Sequence, residues 1–179
     1  FDRENTSIML GAGGGVGDLG MQYGVRSEIS RLVDAPSDDV WDRLPEWTQE
    51  SFAGVLQNVA AGRVANRLDF GGRNYTVDAA CASSLAAVSL AVDELESGRA
   101  NVALAGGVDT VQGPFGYLCF SKTQALSPTG TARSFDKAAN GIVISEGAAV
   151  LVMKRLADAE RDCARIYAVI KALAGPSTG

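Results

Sequence analysis

The sequence predicts an α/β fold built on a parallel sheet, and three observations carry that expectation. A strand-like run ending at Val77 is followed by a small-residue turn, a helical run to Glu96 and a second strand-like run at Asn101–Gly107. Strand, helix, strand in that order is a βαβ unit, which favours parallel pairing with helices on the sheet faces. The run Arg165–Ala174 is apolar on both sides, as in a strand covered on both faces. With 46% hydrophobic and 21% charged residues over 179 positions, the chain has enough apolar surface for one domain with a real core.

Thr6–Leu10 reads as a short buried strand. The glycine-rich loop Gly11–Gly20 follows, and Gly15-Val16-Gly17-Asp18-Leu19-Gly20 matches the dinucleotide pattern G-x-G-x-x-G. The residues after Gly20 carry no strong helix signal, and no second strand ending in an acid follows at the required distance. A turn beside another element is therefore preferred to a nucleotide loop. Residues 30–50 are a polar surface segment with at most a short helix, anchored by Trp41 and Trp47. Thr48 caps a predicted helix from about Gln49 to Leu68. Phe52, Val55, Leu56 and Val59 share one face of it, and Ala61, Val64, Ala65 and Leu68 form a second stripe, so it should be largely buried. Arg63 and Arg67, one turn apart, fit a solvated or ion-paired face better than a phosphate site.

Gly71-Gly72 turns the chain into the strand that precedes Cys81. Beyond Cys81, Leu85, Val88, Val92 and Leu95 recur at helical spacing while Ala86 and Leu90 fill another side, predicting a central buried helix that stops at Gly98. Residues 111–135 read as an irregular loop, of the kind that lines substrate sites, in which Cys119 packs rather than reacts. Asp136 and Glu146 are candidates for acid–base work or metal binding. Acidic side chains among glycines more often hold the backbone N–H groups of tight loops, and that alternative is preferred. An apolar strand at Ala148–Met153, a short helix from Leu156 to about Asp162 and a last strand at Arg165–Ala174 complete the chain.

Several function classes are disfavoured. The net charge is −5 with no Lys/Arg cluster, which argues against a nucleic-acid surface. The longest apolar run, Gly147–Met153, is far too short to cross a membrane. Cys81, Cys119 and Cys163 are odd in number and lack metal-ligand spacing, which fits reduced thiols in a cytoplasmic protein. The charged start Phe1-Asp2-Arg3-Glu4 is no signal peptide. A beginning at Phe1 just before one strand and an end at Gly179 just after another suggest a piece of a longer protein. Histidine is absent.

The chemistry of the chain concentrates at Asp78-Ala79-Ala80-Cys81-Ala82-Ser83-Ser84. A cysteine at a strand-to-helix turn lies near unpaired N–H groups and the positive end of the helix dipole, which favour an anionic sulfur. Small neighbours leave room for substrate, as in a nucleophile elbow. On these residues alone, a buried cysteine acting as a small hydrophobe stands as the alternative.

That stretch resembles the active-site motif of β-ketoacyl synthase (ketosynthase) domains, the condensing enzymes of fatty acid and polyketide synthesis. Other segments agree in the same order: Gly54–Asp69, Leu104-Ala105-Gly106-Gly107-Val108, Ala125-Leu126-Ser127-Pro128, and Phe135-Asp136 with Asn140-Gly141 and Glu146-Gly147-Ala148. The wording is similar to iterative modular megasynthases of the polyunsaturated-fatty-acid, enediyne and glycolipid types. Phe120-Ser121-Lys122-Thr123 and Ile144-Ser145-Glu146-Gly147 lean towards the first or last of these.

The resemblance implies a thiolase-like fold, layered α/β/α/β/α, of which residues 1–179 are the N-terminal half without its first strand. It implies Cys81 as nucleophile, Asp78, Asp136 and Glu146 as structural residues near the site, and Phe115, Tyr117 and Phe120 as walls of an acyl pocket. The family's two catalytic histidines belong to the C-terminal half. The chain alone is then expected to be inactive and poorly soluble. No bound cofactor or metal is implied; substrates arrive on the phosphopantetheine of an acyl carrier protein domain, and the domain is expected to be a homodimer. Alternatives are a thiolase-fold acyltransferase acting on coenzyme A thioesters, a non-catalytic partner subunit, which would be expected to lack the cysteine, and a nucleotide-binding protein using Gly15–Gly20. Asn140 stands where relatives often have Asp, Cys163 where a turn glycine is usual, and Pro176 where a small residue is usual.

Overall fold

A computed structural model describes residues 1–13, 17–110 and 112–175. The elements run β1 (Thr6–Gly11), α1 (Gly17–Leu32), α2 (Asp38–Asp42), α3 (Ser51–Val55), α4 (Asn58–Leu68), β2 (Asn74–Val77), α5 (Ser83–Glu96), β3 (Val102–Asp109), α6 (Pro114–Lys122), β4 (Gly147–Met153) and α7 (Leu156–Arg161). They divide between two compact units, one of Phe1–Gly13, Asn58–Gly107 and Ala149–Gly179, the other of Gly14–Gln57 and Val108–Ala148.

The first unit is organised by a sheet in the order β2-β1-β3-β4. β1 runs parallel to both neighbours, with Met9 opposite Tyr75 and Ala105, and Leu10 opposite Thr76 and Gly106. Because side chains alternate across a strand, β1 feeds two cores. Ile8 and Leu10 pack with Ala61 and Ala65 of α4, while Met9 packs with Ala87, Val88, Ala91 and Leu95 of α5 and with Ala103 and Ala105 of β3. This is the expected parallel βαβ arrangement, with helices on both faces.

α5 sits so close to the sheet that the strand ends beneath it carry no side chains. A Cβ on Gly11 would lie 2.4 Å from the Ser83 carbonyl carbon, and one on Gly107 would lie 2.7 Å from the Ser84 Cβ. The far end of α5 is held by charge. Glu94 is only 2% exposed, and its Oε1 accepts hydrogen bonds from Arg99 at 2.7 Å and Arg73 at 3.2 Å. Arg155 then ties α7 to the chain after α5, donating to the carbonyls of Leu95 (2.8 Å) and Ala100 (2.7 Å), to Asn101 Oδ1 (2.7 Å) and to Asp158 (2.5 Å).

Among the described residues, four helices end on the same device, a Schellman motif, in which an N–H just past the helix bonds to the carbonyl five positions back and the residue before it turns left-handed. The closing bonds are Phe70 to Ala65, Arg99 to Glu94, Ala125 to Phe120 and Ala164 to Ala159, at 2.9–3.1 Å. The left-handed residues are Asp69 (φ 57°), Gly98 (71°), Gln124 (58°) and Cys163 (51°). Gly98 is the expected stop of α5. Cys163 occupies a position suited to glycine, as the departure at that residue suggested.

The structure corrects several expectations. Residues 17–32 form a helix of 16 residues where no strong helix signal is read. Gly17, Gly20 and Gly24 lower its intrinsic propensity, and tertiary contacts supply what propensity lacks. Tyr23 stacks on Trp47 at 4.4 Å and accepts a hydrogen bond from Ser51, while Arg26 donates to the carbonyls of Trp41 and Leu44. The helix expected from Gln49 to Leu68 is two helices, because Leu56 turns extended (ψ 109°) and the halves pack in different units. Thr48 makes no cap; its N–H donates to Ser51 Oγ. Residues 114–122 form α6 within the stretch read as irregular. Pro114 opens it, and none of its residues is buried, so it has no one-sided apolar stripe to detect. α5 buries one face only, leaving Leu85 71% exposed. Arg165–Ala174 pairs with no strand among the described residues and is exposed, since a strand requires a hydrogen-bonded neighbour. Cys119 is exposed rather than packed.

In the full-length protein, Cys163→Gly should raise unfolding stability by about 0.5–1 kcal/mol by relieving the left-handed penalty, and Cys163→Ala should leave it unchanged; urea midpoints read both. Gly11→Ala should cost about 2–3 kcal/mol or more, because the atoms it meets are backbone and cannot rotate aside. Asp2, held by Asn101 and Asn5, Asp158, held by Arg161 and Arg155, and Asp162, held by Lys154 and Arg161, have pKa values below the ordinary carboxylate value. Groups depressed in the folded state stabilise above their unfolded pKa and lose that contribution as pH falls through the folded value. Melting temperature should therefore drop below about pH 4, and Asp158→Asn should flatten that drop.

Candidate active site

The chain leaves β2 at Val77 and enters α5 at Ser83, and the five residues between them are tied by their own hydrogen bonds. Asp78 Oδ1 accepts the Ala80 N–H at 2.8 Å, an Asx turn. Ser83 Oγ accepts the Ala79 N–H at 2.9 Å and donates to the Ala80 carbonyl at 2.6 Å. Ala82 N–H reaches the Ala79 carbonyl at 3.0 Å, and Ser83 N–H reaches the Ala80 carbonyl at 3.1 Å. These bonds hold Ala80 at φ 49°, left-handed and unfavourable for a residue with a Cβ. Cys81 follows directly, with its thiol exposed. Among the described residues, its N–H donates to no other group.

Cys81 is thus placed as expected, at a tight strand-to-helix turn, and it is exposed rather than a buried hydrophobe. Asp78 lies in the same loop and accepts a backbone N–H. Asp136 likewise accepts the Ala138 N–H at 2.7 Å, matching the reading of acids that brace tight turns, and belongs to the second unit with the exposed Glu146. Phe115, Tyr117 and Phe120 lie on α6, also in the second unit and exposed. At about 100° per residue, Tyr117 and Phe120 share one side of that helix and Phe115 lies on the other. Asn140 accepts from Ser127 Oγ at 2.7 Å and donates to Thr129 Oγ1 at 3.4 Å; an aspartate in its place could only accept. Pro176 lies outside the described residues.

Sequence reasoning missed Ser83, the left-handed Ala80 and the Arg73–Glu94–Arg99 cluster. The available signals were a serine at the first position of a helix and an acid and a base five residues apart around a helix end. On β2, burial and the nearby Glu94 push the Tyr75 hydroxyl up from its ordinary value, which keeps it neutral.

Gly15 and Val16 of the G-x-G-x-x-G match lie outside the described residues, and Gly17–Gly20 form the first turn of α1. Asp18 in that turn puts an acidic group where a pyrophosphate would need positive potential. Among the described residues, no group of three or more His, Cys, Asp or Glu could hold a metal ion, and no helix is long and apolar enough to cross a membrane.

Comparison with known proteins agrees with this geometry. Residues 2–159 match the family model described as the N-terminal domain of β-ketoacyl synthase. The chain is 38% identical, over 99% of its length, to a polyunsaturated fatty acid synthase polypeptide of Thraustochytrium sp., and 48% identical, over 70% of its length, to a phenolphthiocerol/phthiocerol polyketide synthase polypeptide of Mycobacterium tuberculosis. It spans 7% of the length of each of those relatives. Among solved structures, it is similar to the ketosynthase from module 6 of the bacillaene synthase of Bacillus subtilis, with a TM-score of 0.68 and 31% identity over 93% of this chain and 24% of that one. The α/β fold is therefore thiolase-like, as in ketosynthases, and the chain belongs to the β-ketoacyl synthase family, through its N-terminal domain.

Proposed function

We propose that, in the intact protein, Cys81 is the nucleophile of a decarboxylating Claisen condensation in polyketide or fatty acid synthesis. The observation that carries this reading is the exposed Cys81 thiol at the braced start of α5, beside an N–H without a partner among the described residues. The Cys81 sulfur attacks the carbonyl of an acyl thioester, the carrier's C–S bond breaks, and the carrier thiol departs with a proton. A malonyl thioester then loses CO₂, leaving an electron pair on its α-carbon. That carbon attacks the Cys81 acyl carbonyl; a C–C bond forms, the C–S bond to Cys81 breaks and the thiolate is regenerated. In both attacks negative charge grows on the acyl oxygen, and the Cys81 N–H is one donor for it.

Decarboxylation needs groups that stabilise an enolate, and by family resemblance these are two histidines of the C-terminal half. This chain contains no histidine, so residues 1–179 alone perform no condensation on this reading. The substrates are carried on the phosphopantetheine of an acyl carrier protein domain of the same megasynthase. Tyr117 and Phe120, with Phe115 on the far side of α6, are the candidates for contact with the acyl chain. Asp78, Asp136 and Glu146 serve structure rather than proton transfer, which the backbone bonds of the first two support. A homodimer is the assembly, and the cytoplasm the location; β2 is an edge strand with one side open to a second copy, and the cysteines are free thiols.

Cys81→Ala in the full-length protein should abolish covalent loading by a radiolabelled acyl thioester, lowering it to background while the melting temperature moves little. Acyl-enzyme persisting in that variant would assign the nucleophile elsewhere.

A further inference from the structure

The peptide between Ala80 and Cys81 carries two groups at once, the Ala80 carbonyl and the Cys81 N–H. It is trans, since the described residues have no cis peptide bonds, so carbonyl and N–H point in opposite directions from one plane. Ser83 grips the carbonyl twice, through its N–H at 3.1 Å and its hydroxyl at 2.6 Å. Fixing the carbonyl towards Ser83 fixes the Cys81 N–H away from it. Ser83 is 6% exposed, so water does not compete readily for these bonds. Its hydroxyl is held from both sides, since the oxygen that donates to the Ala80 carbonyl also accepts the Ala79 N–H at 2.9 Å. A chain of hydrogen bonds thus runs from Ala79 N–H through the Ser83 hydroxyl to the Ala80 carbonyl and on to the Cys81 N–H. Each bond polarises the next, and donation to a carbonyl strengthens the N–H of the same peptide as a donor. Asp78 holds the other side of Ala80, which locks the left-handed φ that aims the peptide.

We infer that Ser83 is a positioning residue for acyl transfer, whose hydroxyl orients and strengthens the Cys81 N–H as an oxyanion donor. The inference rests on Cys81 being the acyl-accepting nucleophile. It goes further by assigning a role to a side chain that touches neither substrate nor sulfur. A serine that merely stabilised the loop would influence every reaction of Cys81. A serine that orients the oxyanion donor influences only reactions that build charge on an acyl oxygen. Alkylation by iodoacetamide is a displacement at saturated carbon and makes no oxyanion; acylation by a thioester makes one.

The test compares these two rates at Cys81 in the full-length protein, using an acyl N-acetylcysteamine thioester and iodoacetamide, with the labelled site read by mass spectrometry. Ser83→Ala should slow acylation by about 10- to 100-fold, short of the roughly 100- to 1,000-fold that deleting an oxyanion donor costs, and leave alkylation within about twofold. Ser83→Thr, which keeps the hydroxyl, should restore the wild-type ratio of the two rates. An unchanged ratio in Ser83→Ala, or a ratio still depressed in Ser83→Thr with normal alkylation, would overturn the assignment. Should the alanine variant fail to fold, hydrogen–deuterium exchange of the wild-type protein decides. The Cys81 amide should exchange as a free surface amide while those of Ala79 and Ala80 are protected, and a protected Cys81 amide would refute the inference. Wild-type protein that takes neither label at Cys81 would overturn both this inference and the nucleophile reading, whereas normal labelling with an unchanged ratio would sink this inference alone.

Discussion

The close seating of α5 on the sheet is the constraint on which the rest of the first unit depends. The helix begins where β1 and β3 end, and its first backbone atoms occupy the space that side chains at Gly11 and Gly107 would need. With the helix start pressed onto the strand ends, only five residues connect Val77 to Ser83. So short a connection has to turn sharply, and it does so by placing Ala80 in the left-handed region. The Cys81 sulfur at the next residue is therefore presented by backbone geometry.

A left-handed alanine costs about 1–2 kcal/mol, and each hydrogen bond of the loop contributes roughly 1 kcal/mol. The three bonds made by the Asp78 and Ser83 side chains are enough to offset the strain. The loop also needs a helix that does not slide. At the opposite end of α5, the Glu94 carboxylate is taken out of water and matched by Arg73 and Arg99, whose own side chains remain partly solvated. Arg73 immediately precedes β2, so this pair joins the strand that enters the site to the helix that leaves it. Burying one carboxylate against two half-hydrated guanidinium groups is a weak source of net stability. Its value lies in register, because any other alignment of α5 would strand the Glu94 charge. Among the described residues, one oxygen of Glu94 is buried without a hydrogen-bond partner, and the bonds from Arg73 and Arg99 fall on the other oxygen.

How much of this was legible in the sequence divides along physical lines. β1, β2, β3 and α5 were readable because their apolar residues follow strand or helix periods and pack into the cores on the two faces of one sheet. Gly98 was readable because glycine favours the left-handed turn that ends a helix. Asp69, Gln124 and Cys163 make the same turn without glycine, so composition hides them, although the departure at Cys163 did give that position away. α1 was not readable because three glycines weaken its propensity and its anchors, Trp47, Ser51 and the carbonyls of Trp41 and Leu44, lie far along the chain. α6 was hidden for the opposite reason, since its large apolar residues are spread around the axis and all exposed. Around the candidate site, the resemblance and the chemistry of a thiol at a helix start single out Cys81, and the structure places it at that turn. Ser83 was not legible in this way, because its contribution consists of two bonds to main-chain atoms, which no spacing of side chains records.

That last omission bears on how the site achieves its chemistry. On the proposed reading, nucleophile and oxyanion donor belong to one residue, the Cys81 side chain and the Cys81 N–H, so neither can be moved without the other. A backbone donor cannot be altered by replacing its own side chain; it can be altered only by changing what holds its peptide. Control over charge stabilisation therefore passes to residues that hold the Ala80–Cys81 peptide from outside, Ser83 at the carbonyl and Asp78 one bond earlier. Both are local in sequence, and both act within the βα unit that carries the sulfur. On that reading the sulfur, its N–H donor and their supports all arise in the first unit, between β2 and the first turn of α5. Decarboxylation, on the same reading, is a different problem, because it develops charge on a second substrate and needs donors of its own. The proposed division follows from charge: the acyl oxyanions of both attacks form at Cys81, whereas the enolate of decarboxylation forms on the second substrate.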